Sequence, residues 1–307
     1  MLSFNGKVAI VTGAGNGMGR AYALELAARG AKIVVNDVVV KNATAVVSEI
    51  MEMGGQAIEN HDDIVSGSNR IIESALIAYG KIDILVNNAG IVRTGLFSEH
   101  DPDDWWRVFD VSFKGTVEMT RAAWPSLVKS GSARIVNVSS SGMLSNPGST
   151  AYSAAKAAVW AFSNSLAAEG VAYGINVNTI LPSAMTPMAD QMFSSFPDLQ
   201  EILKKTMTPK HVSSFVAFLC HSDTTISGRT FRVSGNTVGE LVLAGKTIIK
   251  AESAEEWASL STQFNLNQDI INTYQTTTEL AVEDMANTSP EVVSILDSGK
   301  HPFNTYK

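Results

Sequence analysis

Tyr152 and Lys156 stand four positions apart in "STAYSAAKAA", residues 149–158, among small residues. Alanine and lysine favour a helix, and residues i and i+4 lie one turn apart on one face. Two readings follow. The pair is either a phenol and an amine that share a helix by accident, or a phenol whose proton is made labile. In the second, the neighbouring ammonium stabilises the phenolate and lowers the tyrosine pKa. Ser139, in "NVSSSG", lies thirteen residues before Tyr152 and offers a hydroxyl to the same site. It can equally be one serine of a serine-rich strand exit, with Ser140 and Ser141 beside it.

A second group has the spacing of a phosphate cradle. "TGAGNGMG", residues 12–19, follows an apolar run and opens a helical stretch. Gly13, Gly17 and Gly19 permit a tight turn and close backbone approach. Asn16, Met18 and the helix start then present amide groups and a positive dipole end to a pyrophosphate. Asp37 ends the next apolar run, eighteen positions after Gly19. That is the place of a carboxylate on the adenosine ribose. A carboxylate accepts from ribose hydroxyls and repels a 2′-phosphate, and neither Asn16 nor Val38 is basic. The expected cofactor is NAD.

The elements that must position these residues alternate along the chain. Apolar runs at 7–13, 31–37, 56–60, 82–90, 133–140, 175–182 and 228–233 are separated by helical stretches. This implies an α/β fold, a doubly wound sheet of about seven parallel strands with helices on both faces. Residues 185–210 break the rhythm with Met, Phe and three prolines. They read either as a surface helix pair on the core or as an adaptable apolar lid. Residues 239–307 read as a C-terminal helical extension of a domain spanning 1–238. In it Ser253 opens a capping box, followed by Trp257, Leu260 and Phe264 on one face. A second helix is capped by Ser289, with Pro290 first and Gly299 near its stop.

Composition narrows the class. The chain has 307 residues, 45% hydrophobic and 17% charged, enough for a large core. A net charge of −7 without a basic stripe argues against nucleic acid as a partner. No apolar run is long enough for a membrane span. The N-terminus lacks a signal-peptide layout, Thr305-Tyr306-Lys307 is not a peroxisomal address, and Cys220 is the single cysteine. A cytoplasmic location is expected. The motif G-x-S-x-G of serine hydrolases is absent. His61, His100, His211, His221 and His301 lack metal-ligand spacing, so no metal is expected.

Taken together, Thr12–Gly19, "NNAG" at 87–90, Ser139 and Tyr152-x-x-x-Lys156 resemble the short-chain dehydrogenase/reductase family over roughly residues 5–238. The resemblance implies a Rossmann fold with Tyr152 as general acid/base. Lys156 would bind the nicotinamide ribose and lower the phenol's pKa, and Ser139 would bind the substrate oxygen. Asn88, Ala89 and Gly90 would lie near the adenosine, Asp62 near the adenine, and Pro182 and Thr186 beside the nicotinamide. Ser112 stands where the family usually has the asparagine of a proton relay, and Pro182-Ser183 replaces its Pro-Gly. Residues 19–37, 218–223 and 232–241 further resemble the (3R)-hydroxyacyl-CoA dehydrogenase units of peroxisomal multifunctional enzymes and bacterial hydroxysteroid or steroid-CoA dehydrogenases. A bulky secondary alcohol or ketone, such as a 3-hydroxyacyl-CoA thioester, is the implied substrate, with a free hydroxysteroid as the alternative. A non-catalytic NAD-binding sensor is the alternative of another class, though it has no use for Tyr152 and Lys156. Lys204, Lys205 and Lys210 read as lid-solubilising charges in preference to partners of CoA phosphates. The tail face implies a homodimer or homotetramer, with the extension shaping the pocket.

Overall fold

Six apolar, mostly β-branched runs and the more polar edge segment Gln56–Asn60 form the first seven strands, each bounded by turn residues. They are β1 Val8–Thr12, β2 Lys32–Asn36, β3 Gln56–Asn60, β4 Ile84–Asn87, β5 Arg134–Val138, β6 Asn176–Ser183 and β7 Thr230–Ser234. An eighth, β8 Thr237–Glu240, turns back on β7, and the sheet order is β3-β2-β1-β4-β5-β6-β7-β8. Among the described residues the first seven strands are parallel and β8 is antiparallel. The structure is a computed structural model and describes residues 2–144, 146–186, 189–190, 193–243, 253–259 and 277–298, with the backbone alone at 257–259 and 277–281.

Helices cover both faces, so successive strand residues enter different cores. Ala9 and Val11 of β1, with Ile84 and Val86 of β4, join Tyr22 and Leu26 of α1 (Gly17–Ala28) and Val46 of α2 (Val40–Glu52). Ile10 and Leu85 point the other way, to Ile71 of α3 (Ser68–Tyr79) and Leu127 of α5 (Gly115–Ser130). The strand order reverses between β1 and β4, and such a switch point opens a crevice at the carboxyl ends of the strands. Between α4 (Pro102–Phe109) and α5 the chain makes a π-helical turn, Asp110–Lys114, which buries Ser112. Such turns interrupt helices most often beside functional sites. Among the described residues no helix is long and apolar enough to cross a membrane.

The β8 hairpin falls where the core was expected to end. All four of its residues are exposed, so no apolar alternation announces it. Residues 193–207 also differ from expectation. Phe193 and Leu199, Leu203 and Met207 pack with Met285, Val292 and Leu296 in a small core of their own. The tail helices Thr277–Ala286 and Pro290–Asp297 supply the partners. Ser289 caps the latter, accepting from Val292 N at 3.3 Å, with Pro290 in its first turn. Ser253 accepts from Glu256 N at 3.2 Å ahead of a short helix, Ala254–Ser259. The Trp257 side chain, Leu260, Phe264 and Gly299 lie outside the described residues.

Candidate active site

The glycine loop between β1 and α1 is closed by contacts that leave no room for side chains. Gly13 and Gly17 have φ of 61° and 53°, a region that favours glycine. A Cβ at Gly19 would stand 2.1 Å from the Gly13 carbonyl oxygen and 2.5 Å from Asn88 Nδ2. The Asn88 amide donates to the Thr12 and Gly13 carbonyls at 3.0 and 3.1 Å, bolting the ends of β1 and β4 together. Thr12 Oγ1 in turn accepts from Asn88 N and Ala89 N. Asn16 caps α1, accepting from Gly17 N at 2.7 Å. The amides of Met18 and Gly19 precede the helix ladder, whose first bond runs from Arg20 N to Asn16 O. A bare backbone pocket with helix-start amides fits a pyrophosphate.

Asp37 stands directly after β2 and reaches this loop. Its carboxylate accepts from Gly15 N and Val39 N, both at 2.9 Å. A Cβ at Gly15 would come within 2.8 Å of Asp37 Oδ2, so no basic side chain fits between them. Thr186 faces the loop from the far side, 3.6 Å from where a Gly17 Cβ would be. Pro182 stands near the end of β6, paired with Val233. Asp62 lies two residues beyond β3, and its carboxylate is taken up by Arg70 at 2.6 Å and Asn60 at 3.1 Å. The Arg70 guanidinium holds that carboxyl below its usual value.

Tyr152 and Lys156 rise from α6 (Thr150–Gly170), whose alanines let the helix lie close to the sheet: Ala151 and Ala155 are buried beside them. Lys156 is 3% exposed, and its Nζ donates to the Val138 carbonyl at 2.7 Å. Burial lowers its ammonium to about 8. The Nζ lies 5.6 Å from the Tyr152 ring centroid. Ser112 closes the far side of this amine. Its Oγ exchanges hydrogen bonds with the Ile91 backbone at 3.3 Å, and a Cβ on Gly90 would be 3.3 Å from both Ser112 Oγ and Lys156 Nζ.

One expectation changes here. Within this chain the phenol of Tyr152 is raised, not lowered. It keeps some accessible surface, yet the protein around it is dense enough for burial to outweigh a hydrogen bond from Ser140 that favours the phenolate. Lys156 lies over the ring rather than against the hydroxyl, and its charge is itself disfavoured by burial. Ser140 is the serine whose hydroxyl meets the phenol, a contact the sequence did not single out. Ser139 Oγ donates instead to the Lys156 carbonyl at 2.7 Å and lies 3.7 Å from Met143 Sδ. Spacing from Tyr152 could single out one serine but not the direction of its hydroxyl. Gly142 was also missed: a Cβ there would be 3.3 Å from Tyr152 Cε1, so the ring rests on bare backbone.

All three lysines are surface charges, two of them paired. Lys204 pairs with Asp190 at 2.8 Å and Lys205 with Glu201 at 2.7 Å; Lys210 is exposed.

Comparison with known proteins agrees with this geometry. The family model for short chain dehydrogenases matches residues 7–195. Peroxisomal multifunctional enzyme type 2 of Mus musculus is 40% identical over 250 residues, covering 78% of this chain and 33% of that protein. The chain thus spans about a third of that relative's length. A short chain dehydrogenase from Mycobacterium avium superposes with a TM-score of 0.74 at 32% identity, covering 86% of this chain and 95% of the other. A 7α-hydroxysteroid dehydrogenase in complex with NADH and 7-oxo glycochenodeoxycholic acid superposes with a TM-score of 0.70 at 30% identity, covering 76% and 94%. With a glycine cradle at the switch point, a Tyr–Lys pair on α6 and these matches, the chain belongs to the short chain dehydrogenase family, the nicotinamide-dependent oxidoreductases.

Proposed function

We propose that the chain is an NAD-dependent dehydrogenase acting on the secondary alcohol, or ketone, of a bulky lipid-like substrate, foremost a 3-hydroxyacyl-CoA thioester. The observation that carries this reading is the convergence of Tyr152, Lys156 and Ser139 at the end of β5, one strand from the crevice that Asp37 and the glycine loop line. Bound NAD supplies the hydride acceptor. The chain supplies the rest. Tyr152 Oη takes the alcohol proton, with the Ser140 hydrogen bond favouring the phenolate. Ser139 turns its hydroxyl from the Lys156 carbonyl to the substrate oxygen. Lys156 Nζ holds the nicotinamide ribose, and Ser112 backs it where the relay asparagine is usual. Asp37 accepts from the adenosine ribose, and its charge repels a 2′-phosphate.

Substrate size is supported by the apolar segment 193–207 and by the similarity to the mouse peroxisomal enzyme. A free hydroxysteroid is the second reading, favoured by the match to the hydroxysteroid dehydrogenase. A homodimer or homotetramer belongs to the same proposal, since Phe97 at 73% and Trp106 at 60% exposure offer apolar surface for a second copy to cover. A cytoplasmic location is proposed on the single cysteine, with cell fractionation as its check against the peroxisomal relatives.

The deciding assay follows NADH absorbance with 3-hydroxyacyl-CoA thioesters and free hydroxysteroids. Turnover with thioesters, and at least about tenfold higher kcat/KM with NAD than NADP, is expected. Equal efficiency with both cofactors would remove the role given to Asp37. Tyr152→Phe should lower turnover by about 10²–10⁴ while NAD affinity stays near wild type. Retention of a tenth of the turnover, about one order of magnitude lost, would mean another base.

A further inference from the structure

One buried carboxylate joins the tail to the strand ends that frame the site. Asp284, in the tail helix Thr277–Ala286, is 4% exposed. It accepts from Ser183 Oγ at 2.9 Å and from Arg232 Nη2 at 2.6 Å. Ser183 follows Pro182 at the end of β6 and pairs in register with Ser234 of β7. Ser234 Oγ also donates to the Asp284 carbonyl at 3.4 Å, and Arg232 reaches the adjacent Glu283 at 3.2 Å. Ion pairs this deep add little net stability, because desolvation of both charges offsets their attraction. What the cluster does supply is position. A carboxylate held from two strands fixes both the height and the rotation of its helix.

That helix stands between two parts of the substrate end of the crevice. Met285, the next residue, is 2% exposed and enters the cluster of Phe193, Leu199, Leu203 and Met207. The same helix packs on the turn Ser141–Met143, where Met143 Sδ is 3.7 Å from Ser139 Oγ. The geometry points to Asp284 as a positioning residue for substrate specificity. Through Ser183 and Arg232 it holds the tail helix as a wall between the segment 193–207 and the turn beside Ser139. This rests on the reading of the site as a dehydrogenase of bulky alcohols.

The test compares Asp284→Asn, Ser183→Ala and the double variant Arg232→Met with Asp284→Leu, in the full chain. Kinetics are read with a 3-hydroxyacyl-CoA thioester and with a small secondary alcohol. The variants should raise KM for the thioester about tenfold, while kcat, the small-alcohol kcat/KM and the NAD Kd stay within about twofold. The double variant should keep the melting temperature yet show the same KM defect, separating position from stability. An unchanged thioester KM, or equal losses on both alcohols, would overturn the assignment. If the wild type oxidises neither alcohol, the dehydrogenase reading fails on its own. The clamp is then decided by hydrogen exchange: faster exchange at 193–207 and 141–143 in Asp284→Asn supports it, and unchanged exchange there overturns it.

Discussion

Lys156 is a costly side chain to bury, with one carbonyl partner for its ammonium and 3% exposure. Its pKa of about 8 replaces the ordinary 10.5. The unfolded chain keeps that proton up to its ordinary value, whereas the folded chain releases it near 8. The unfolded state therefore holds the additional proton between the two values, and stability rises with pH across that window. Below it the burial penalty is fully present. Tyr152 and Tyr22, pushed upward by burial, act in the opposite direction only above the ordinary phenol value of 10.0. Cys220, whose thiol burial pushes from 9.0 up to about 12, opposes Lys156 above about pH 9. It is common to wild type and a Lys156 variant, so their difference over the interval from about pH 7 to about pH 9.5 reports Lys156. Urea unfolding of the ligand-free protein should show wild type gaining about 2 kcal/mol on Lys156→Met across it. A flat difference would mean that the ammonium is solvated.

At the scale of elements, the β1–α1 turn and the β4 exit act as one unit. Asn88 is the bolt and Gly19 the contact point, so loop and strand end cannot move apart or closer without cost. Gly19→Ala would drive a methyl to 2.1 Å from the Gly13 carbonyl oxygen, and the loop must shift. A loss of about 1–3 kcal/mol in stability is expected, with NAD affinity falling at least about tenfold, since a cradle shifted by an ångström mismatches its ligand. Gly54 is the control. It has φ of 80° with nothing near a built Cβ, so Gly54→Ala should cost stability alone. Thermal melts and NAD titration of both variants check this. Normal NAD binding by Gly19→Ala would separate the cradle from the cofactor.

For the whole molecule, two cores meet at the sheet and a third lies outside it, shared by residues 193–207 and the tail. Removing residues 245–307 takes Met285, Val292 and Leu296 from that third core and leaves the other two complete. The truncated chain should fold and bind NAD. Its KM for the bulky substrate should rise about tenfold or more, with a smaller effect on a small secondary alcohol. Circular dichroism and steady-state kinetics measure both parts. Unchanged kinetics on the bulky substrate would make the tail a structural cover only.

The local chemistry of this chain is written in its sequence. Seven strands were legible, six of them as apolar runs closed by turn residues, and the Ser289–Pro290 helix start from its cap. The i, i+4 relation of Tyr152 and Lys156, and the glycine spacing before Asp37, need only one helix or one βαβ unit. The tertiary structure alone decided which serine meets the phenol, because Ser139 and Ser140 differ by which side of the strand exit they leave. It also decided that Lys156 is uncharged more easily than an ordinary lysine, which depends on the packing of α6 against β5. The bond from Ser183 to Asp284 spans 101 positions. Periodicity and capping act over one or two turns of chain. Which distant polar groups meet is set by sheet order and by what covers the strand ends, and no local pattern encodes either.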